Sequence, residues 1–558
     1  MNTLENILIR ENILSEKKLE KAKKEALETN SPLEKILTKN KYLSSKDIIL
    51  AKSKMYGLRI IDLNTFPIAL DAISLVPENV ARDYNIIPVI KTGNTISIAT
   101  SNPMDIEAIE SVELHSHCRV ETVLSNVDDI HQAIETYFGV FGKISELLKN
   151  TEQDQLDAQT EVASSKIAET KTIEGPISQI IKLMIIQAVN TGASDIHLEP
   201  LETRLRVRLR IDGILQETFT YEKKYQAALI SSAKLMCSLD IAEKRIPQDG
   251  RLRITVKTRP IDLRVSTFPA MHGEKMVFRI LDKESANVDI SQLGITGDSL
   301  ELLLKIIKQP HGIFLVTGPT GSGKTTTLYS VLNKVNTPKV NIITMEDPVE
   351  FDLDTVNQGQ VNVKAGLTFA KGLRAMMRQD PDIVMIGEIR DSETAEISIQ
   401  AALTGHLVLS TLHTNSAPGA VVRLVEMGVE PFLLASSLLG VLAQRLVRRL
   451  CPKCKKSYTP ESSLIKRLGL DAETKYTFYQ ATGCRACGRT GYKGRAGIYE
   501  LMEPTNEIRT LIVEGKSSNE IRDLAVSQGM LTLQADGIQR VISGITSIEE
   551  ILRVAGDS

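Results

Sequence analysis

The run Gly318-Pro319-Thr320-Gly321-Ser322-Gly323-Lys324-Thr325 matches the phosphate-cradling pattern G-x-x-x-x-G-K-[ST] in full. Its glycines let the backbone curl so that successive N–H groups point at phosphate oxygens. A helix starting at the end of the loop adds the partial positive charge of its N-terminus. Lys324 is spaced to reach the β- and γ-phosphates, and the Thr325 hydroxyl to ligate Mg²⁺. Thr326 opens the outgoing helix and completes the nucleotide-contacting set. The flanks agree: Ile313-Phe314-Leu315-Val316 reads as an incoming apolar strand, and residues 326–335 read as helix. The chemistry implied is binding of ATP and transfer of its terminal phosphoryl group.

Hydrolysis needs carboxylates as well, near the metal and near the attacking water. Two apolar strands end in acids. Ile342-Ile343-Thr344-Met345 leads into Glu346-Asp347-Pro348-Val349-Glu350, and Ile383-Val384-Met385-Ile386 leads into Gly387-Glu388. Ligands in open α/β sheets sit at the carboxyl ends of strands, so these acids stand where chemistry would occur. Glu388 is assigned to the Mg²⁺ side. Glu350 is the first choice for orienting water and Glu346 the second. His406 and His413 bracket a further apolar strand. Either they sense the γ-phosphate and its loss, or they are core and cap residues.

A second chemistry is written in cysteines. Cys451-Pro452-Lys453-Cys454 and Cys484-Arg485-Ala486-Cys487 form two C-x₂-C pairs with 29 residues between Cys454 and Cys484. Four thiolates at this spacing suit tetrahedral Zn²⁺. With every ligand position filled by protein, such a site is structural. Cys118 and Cys237 stand alone and read as structural residues.

The elements that must position these groups follow from periodicity. Between residues 302 and 450 apolar strands alternate with helices, the pattern of a largely parallel sheet covered by helices. The apolar stretch 431–443 (PFLLASSLLGVLA) reads as a buried helix, too short to span a bilayer. Upstream, residues 175–290 mix amphipathic helices with strands. Residues 149–172 are polar and aperiodic, as in a linker. Residues 60–137 suggest a small α+β unit. In the first fifty residues a repeat recurs at an offset of 29: Leu4, Leu14, Leu19 and Ala22 reappear as Leu33, Leu43, Ile48 and Ala51. Ser15 and Ser44 sit where N-caps belong, so two helical hairpins are expected. The expected organisation is a helical repeat plus small α+β domain in 1–140, a linker in 141–174 and an α+β domain in 175–290. An ATPase domain in 291–450, a tetracysteine insertion in 451–495 and a helical tail in 496–558 complete it.

Bulk composition narrows the class. The 558 residues are 42% hydrophobic and 24% charged, ordinary for globular domains. Lys+Arg number 67 against 69 Asp+Glu, a formal net charge of −2. That balance, with no aromatic-interleaved basic tract, weighs against a nucleic-acid motor, the alternative from a different class. The start of the chain shows no secretory signal, and paired C-x-x-C motifs favour metal in a reducing compartment. The expectation is a cytoplasmic protein that meets membrane only through a partner.

Taken in order, these blocks resemble the type II/IV secretion and pilus ATPases, the PilB, GspE and PilT group. Residues 344–351 resemble that family's Asp box, 380–391 its Walker B block and 405–415 its His box. Residues 193–200 (ASDIHLEP) and 206–213 (RVRLRIDG) resemble the domain preceding its motor. The resemblance implies a multidomain α/β protein: a RecA-like core, a preceding α+β (PAS-like) domain, a helical N-terminal domain and a zinc-ribbon-like insertion. It implies a homohexameric ring with ATP and Mg²⁺ between the P-loop domain and the preceding domain. Arginines from the preceding domain would reach the γ-phosphate, and the matching positions are Arg264 and Arg279. Arg374 and Arg378, four apart on a helix, are ring-interface contacts, phosphate contacts or a structural ion pair. The cysteine module and long N-terminal region are similar to assembly motors rather than retraction motors. The implied activity is therefore ATP hydrolysis driving type IV pilus assembly at the inner face of the cytoplasmic membrane. A type II secretion motor is the alternative. Implied partners are an inner-membrane platform protein of the PilC/GspF kind and a cytoplasmic-ring scaffold, with no nucleic acid. The N-terminal region is similar to that of the MshE and PilB branch, some of which bind cyclic di-GMP. That motif wants R-L-G starts and a glycine in each half, whereas here the starts are Thr3-Leu4-Glu5 and Pro32-Leu33-Glu34, with Asn12 and Lys41 at the glycine positions. The expectation is the fold without that ligand.

Overall fold

The structure is a computed structural model that describes residues 4–138, 175–281 and 288–556, apart from positions 12, 30–31, 41, 64–65, 67, 74 and 472. The expected linker, and Asn12 and Lys41, lie outside the described residues. The chain forms two compact units, one built on the N-terminal residues and one holding the two larger sheets.

In the first unit, helices Leu4–Arg10, Glu16–Glu28, Leu33–Lys39 and Ser45–Tyr56 form the two expected hairpins. The repeat explains their core. Leu8 and Leu37, Leu14 and Leu43, Leu19 and Ile48, and Ala22 and Ala51 are equivalent pairs, and all eight are buried together. Ser44 caps its helix through a reciprocal pair with Asp47. Strands β1 (Ile86–Thr92), β2 (Thr95–Thr100) and β3 (Arg119–Leu124) then make a three-stranded sheet in that order.

The second unit opens with six antiparallel strands: β4 (Ala193–Pro200), β5 (Arg204–Ile211), β6 (Ile214–Glu222), β7 (Gln248–Val256), β8 (Arg259–Ala270) and β9 (Gly273–Leu281). Their spatial order is β6-β5-β4-β9-β8-β7. Strict alternation gives this sheet two unlike faces. Leu205, Val207, Leu209, Ile196, Leu198, Met276, Phe278, Leu263 and Val265 are buried on one. The other is charged. There Glu199 pairs with Arg206, Arg208 and Lys275, and Asp195 with Arg210 and Arg279.

The ATPase sheet follows: β10 (Gly312–Thr317), β11 (Ile342–Glu346), β12 (Asn357–Gln360), β13 (Ile383–Ile386), β14 (Leu407–Leu412) and β15 (Leu438–Leu450). Two short strands, β16 (Lys456–Tyr458) and β17 (Phe478–Gln480), pair within the cysteine segment. Strand β18 (Tyr492–Met502) then returns to the large sheet. The order is β12-β11-β13-β14-β10-β15-β18, parallel throughout except for β18. Strands β10, β13 and β14 are buried at every position, which is why they read as unbroken apolar runs.

One expectation is corrected here. The stretch 431–443 is not one helix: a short helix, Pro431–Ser437, gives way to β15 at Leu438. A run buried on both sides carries no period that separates helix from strand. At Gly440 an added Cβ would meet the Ile306 side chain at 2.7 Å, so the helix Asp298–Ile306 packs closely on the strand there. Strand β18 is likewise a sheet member, so the cysteine segment is an excursion between two paired strands.

The tail comprises helices Asn506–Val513, Ser518–Ser527, Leu533–Ile542 and Ile548–Ala555. The last of these is tied to β15 by Glu550, whose side chain is 0% exposed. Its carboxylate accepts from the Arg448 N–H (3.0 Å), from Arg448 Nη2 (2.7 Å) and from Arg553. Arg448 also lies 4.0 Å over the Tyr492 ring of β18. Burial would push the Glu550 carboxyl up, but the bonds from Arg553 and Arg448 outweigh it and hold it at about 2. A depressed carboxyl stabilises the fold above its unfolded value of 4.5, and this is lost as pH falls from 4.5 toward 2. Glu550→Ala should cost about 3 kcal/mol at pH 7 by leaving Arg448 without its partner. Thermal denaturation should show the gap between wild type and variant narrowing as pH drops through that window. A gap independent of pH would refute the assignment.

Candidate active site

Because β10, β11, β13 and β14 are parallel and in register, their C-terminal ends share one edge of the sheet. The P-loop, Glu346, Glu388 and His413 all emerge there. His406 precedes β14 and its carbonyl accepts from Gly312 N–H at the start of β10. It therefore lies at the opposite edge, about 20 Å from His413 for a strand of this length. Its Nδ1 is taken up by the Ala401 carbonyl at 3.0 Å. Of the two histidines, only His413 joins the acids.

The P-loop runs from β10 into helix Lys324–Val335. Gly318 has φ 153° and Gly323 φ 90°. A Cβ on Gly318 would meet the Gln444 carbonyl at 2.5 Å, and one on Gly323 the Gln444 side-chain amide at 2.7 Å. Gln444 is the support for this loop. Its Nε2 donates to Ser322 O at 2.7 Å and its Oε1 accepts from Thr327 Oγ1 at 2.7 Å, so one buried amide ties β15 to both loop and helix. Beside it, buried Arg445 donates to Asn415 O and Oδ1 at 3.1 and 3.0 Å. Residues 318–323 with Lys324, Thr325 and Thr326 thus form one cradle.

Lys324 Nζ donates to Gly318 O at 2.7 Å and Pro319 O at 3.2 Å, so the ammonium lies against its own loop. Burial pulls its pKa down to about 8. Glu388 opposes that fall, and Arg445 contributes to it. Glu388 and the P-loop lysine stand at the same edge of the sheet. Glu388 is held by Arg390 on Oε1 and by His413 Nε2 at 3.2 Å on Oε2. With the Thr325 hydroxyl on the first helical turn, it offers the hard oxygen donors that Mg²⁺ takes beside substrate phosphates.

The two acids of the 346–350 segment differ completely in surroundings. Glu346 is buried, and its carboxylate accepts from Tyr329 Oη, from Thr344 Oγ1 (2.7 Å) and from Gln358 Nε2 (3.0 Å). Glu350 is 31% exposed and pairs with Arg264 Nη1 at 3.3 Å, while Arg264 Nη2 donates to Val349 O at 2.9 Å. Arg264 is thus carried from the six-stranded sheet to the edge of the ATPase sheet. Arg279, its cross-strand neighbour, pairs with Asp195 at 3.0 Å and stays 63% exposed. Arg374 pairs with Glu393 at 2.5 Å, and Arg378 donates to Arg374 O at 2.8 Å. Neither touches the loop.

Three participants escaped the sequence reading: Gln444, Arg390 and Gln358. The signal for Gln444 was present, since Gln444-Arg445 is a polar pair inside an otherwise apolar run. The cysteines converge as expected, with their four sulfurs within 4.8 Å of one another. Turns at each pair aim them: Cys454 N–H donates to Cys451 O, and Cys487 N–H to Cys484 O, both at 3.2 Å.

A P-loop on a parallel sheet, flanked by strand-end acids and an arginine from a neighbouring sheet, defines a P-loop nucleoside-triphosphate hydrolase. The model of the type II/IV secretion system protein family matches residues 170–553, and an MshEN domain model matches 56–142. The chain belongs to the type II/IV secretion system ATPases and is an ATP-hydrolysing enzyme. It is 41% identical to the type IV pilus assembly ATPase PilB of Myxococcus xanthus, over 98% of each chain. It is 51% identical to the type II secretion system protein E of Pseudomonas aeruginosa, over 68% of this chain and 76% of that one. The Legionella pneumophila ATPase DotB shares the fold, with TM-score 0.51 and 20% identity over 67% of this chain and 94% of that one.

The depressed Lys324 makes nucleotide binding pH-linked. Phosphate oxygens stabilise the ammonium and so raise its pKa above the free value of about 8. At pH 8.5 most free protein carries neutral Lys324, so ATP binding should take up a proton. At pH 6.5 the lysine is already charged and uptake should vanish. Calorimetry in buffers of different ionisation enthalpy reads this directly, and equal uptake at both pH values would contradict a phosphate-contacting Lys324.

Proposed function

We propose that this chain is the hexameric motor of type IV pilus assembly, turning over MgATP at the cytoplasmic face of the membrane where pilin subunits are added. The observation that carries the catalytic part is the Arg264–Glu350 pair, which joins the preceding domain to the acidic strand end. Thr325 and Glu388 would hold Mg²⁺, which when bound would supply positive charge beside the triphosphate. Lys324 swings from its loop carbonyls to those phosphates. Glu350, with a partly exposed carboxylate, orients the attacking water. Glu346 is passed over because its carboxylate is already committed to three donors. Once ATP is bound, Arg264 exchanges its bond to Glu350 for the γ-phosphate. Arg279 joins it, meeting charge that develops in the transition state. His413 reports the state of the phosphate through Glu388. Release of the phosphate frees Arg264, so turnover moves the six-stranded sheet relative to the ATPase sheet. That motion is the working stroke on a membrane platform protein and its cytoplasmic scaffold.

Assembly of a pilus is supported by the PilB relative that this chain matches from end to end. A secretion motor is the second reading, favoured by higher identity to secretion protein E over a shorter span. Among the described residues, no helix is long and apolar enough to cross a membrane, which fits a motor acting through a partner.

Glu350→Gln and Glu388→Gln should each lower Mg²⁺-dependent ATP turnover by about 100-fold or more. Light scattering on the wild type with nucleotide should give a mass six times that of one chain. Wild-type rates in Glu350→Gln would remove Glu350 from the mechanism, and a monomer under all conditions would remove the ring. Deleting the gene should abolish surface pili and leave secretion intact, whereas the converse would favour the second reading.

The cysteine cluster is assigned to structural Zn²⁺, since four convergent thiolates with no other ligand suit a closed tetrahedral site. Elemental analysis should find about one zinc per chain in wild type. Cys484→Ser should lose most of it and melt earlier. A metal-free wild type with unchanged melting would overturn the assignment.

A further inference from the structure

The loop that carries Glu350 has no regular secondary structure between β11 and β12, yet it must hold a carboxylate to within a fraction of an ångström. Ion pairing to Arg264 cannot do this, because the proposed stroke breaks that pair. The loop is instead gripped from behind by one side chain. Gln358, on β12, donates through Nε2 to Phe351 O at 3.0 Å and accepts through Oε1 from Leu353 N–H at 2.7 Å. Those backbone atoms belong to the residues one and three positions after Glu350. A side-chain amide supplies a donor and an acceptor on two separate atoms at one tip, so it can bond both backbone groups at once.

The same amide nitrogen donates to Glu346 Oε1 at 3.0 Å, and Glu346 Oε2 accepts the Tyr329 hydroxyl proton. Tyr329 sits five residues after Lys324 on the P-loop helix and packs edge-on to Phe351, with ring centroids 6.1 Å apart. Burial and then Glu346 itself keep its phenol protonated and donating. Every link is buried or half-buried, so water does not compete for these bonds, and each is electrostatically stronger than at the surface.

We infer that Tyr329, Glu346 and Gln358 form a buried relay that positions Glu350 and couples its loop to the P-loop helix. This rests on the assignment of Glu350 as the water-orienting acid. The three are positioning residues: their bonds run to one another and to the loop backbone, and each acts through the geometry of the loop. Movement of the helix when the cradle fills is passed by the tyrosine to the buried carboxylate and on to the amide. Glu350 is thereby set when ATP is present.

A double-mutant cycle on the full chain tests the relay. Gln358→Met and Tyr329→Phe should each lower kcat about tenfold, as expected for misplacing a reacting group by a fraction of an ångström. The KM for ATP should stay within about twofold, because the nucleotide cradle is untouched. In a Glu350→Gln background, itself about 100-fold down, Gln358→Met should add nothing, since the residue it positions is already disabled. Should Gln358→Met fail to fold, Gln358→Asn withdraws the same amide by one methylene and replaces it in the cycle. Wild-type kcat in both relay variants, with Glu350→Gln inactive, would overturn the relay and leave the Glu350 assignment standing. A repeated tenfold loss in the Glu350→Gln background would also overturn it. Full turnover in Glu350→Gln would instead overturn the assignment, and the relay with it.

Discussion

A phosphate-cradling loop must turn its N–H groups toward ligand, so it cannot hold itself by pairing them within the protein. Something outside has to fix its shape. Here that is the Gln444 side chain, which bonds the loop carbonyl of Ser322 and the helix hydroxyl of Thr327 together. Gly318 and Gly323 are glycines because the same residue closes on them from β15. The cradle is therefore only as well placed as β15. That strand is secured on one side by β10 and on the other by β18, and at its end by the buried Glu550 bridging Arg448 and Arg553. The C-terminal tail, which bears no catalytic group, thus stands two contacts from the phosphate site.

The six-stranded sheet faces a different constraint. Its charged face crowds arginines in adjacent strands, with Arg251, Arg264 and Arg279 in one cross-strand row. Like charges directly opposite repel, so such a row is tolerated only with anions to meet it. Asp195 serves Arg279 and Glu350 serves Arg264. An anion borrowed from the ATPase sheet is exchangeable in a way that a fixed pair is not. A triphosphate offers more charge than one carboxylate, and this is why the proposed mechanism has substrate displace Glu350 from Arg264 and free it for water.

Much of this was legible in the chain. Apolar runs named four strands of the ATPase sheet, β10, β11, β13 and β14, and contiguous motifs named the P-loop, the strand-end acids and the cysteine pairs. The 29-residue offset foretold which leucines share the N-terminal core. Legibility failed in two ways. An unbroken apolar run has no period, so β15 passed for helix. A histidine pair bracketing one strand looked like a pair in space, although a strand sends its two ends to opposite edges of the sheet. Only His413 therefore reached the acids.

Two of the three residues missed share a physical signature. Gln444, buried, and Gln358, half-buried, are amides whose partners are backbone or side-chain atoms of other elements, as far as 122 positions away. A catalytic motif is contiguous because phosphate is small and one loop can surround it. Supports have no such requirement, since any strand that passes behind the loop can supply one. What a support does need is a donor and an acceptor on one short side chain that carries no charge into the core, because an unpaired buried charge costs far more than an amide with both ends bonded. Glutamine meets that need, and in an apolar strand it is tolerated only where both ends find partners. A glutamine in such a run is therefore a sign of a loop held from behind, and Gln444 fits that description with the P-loop in its grip.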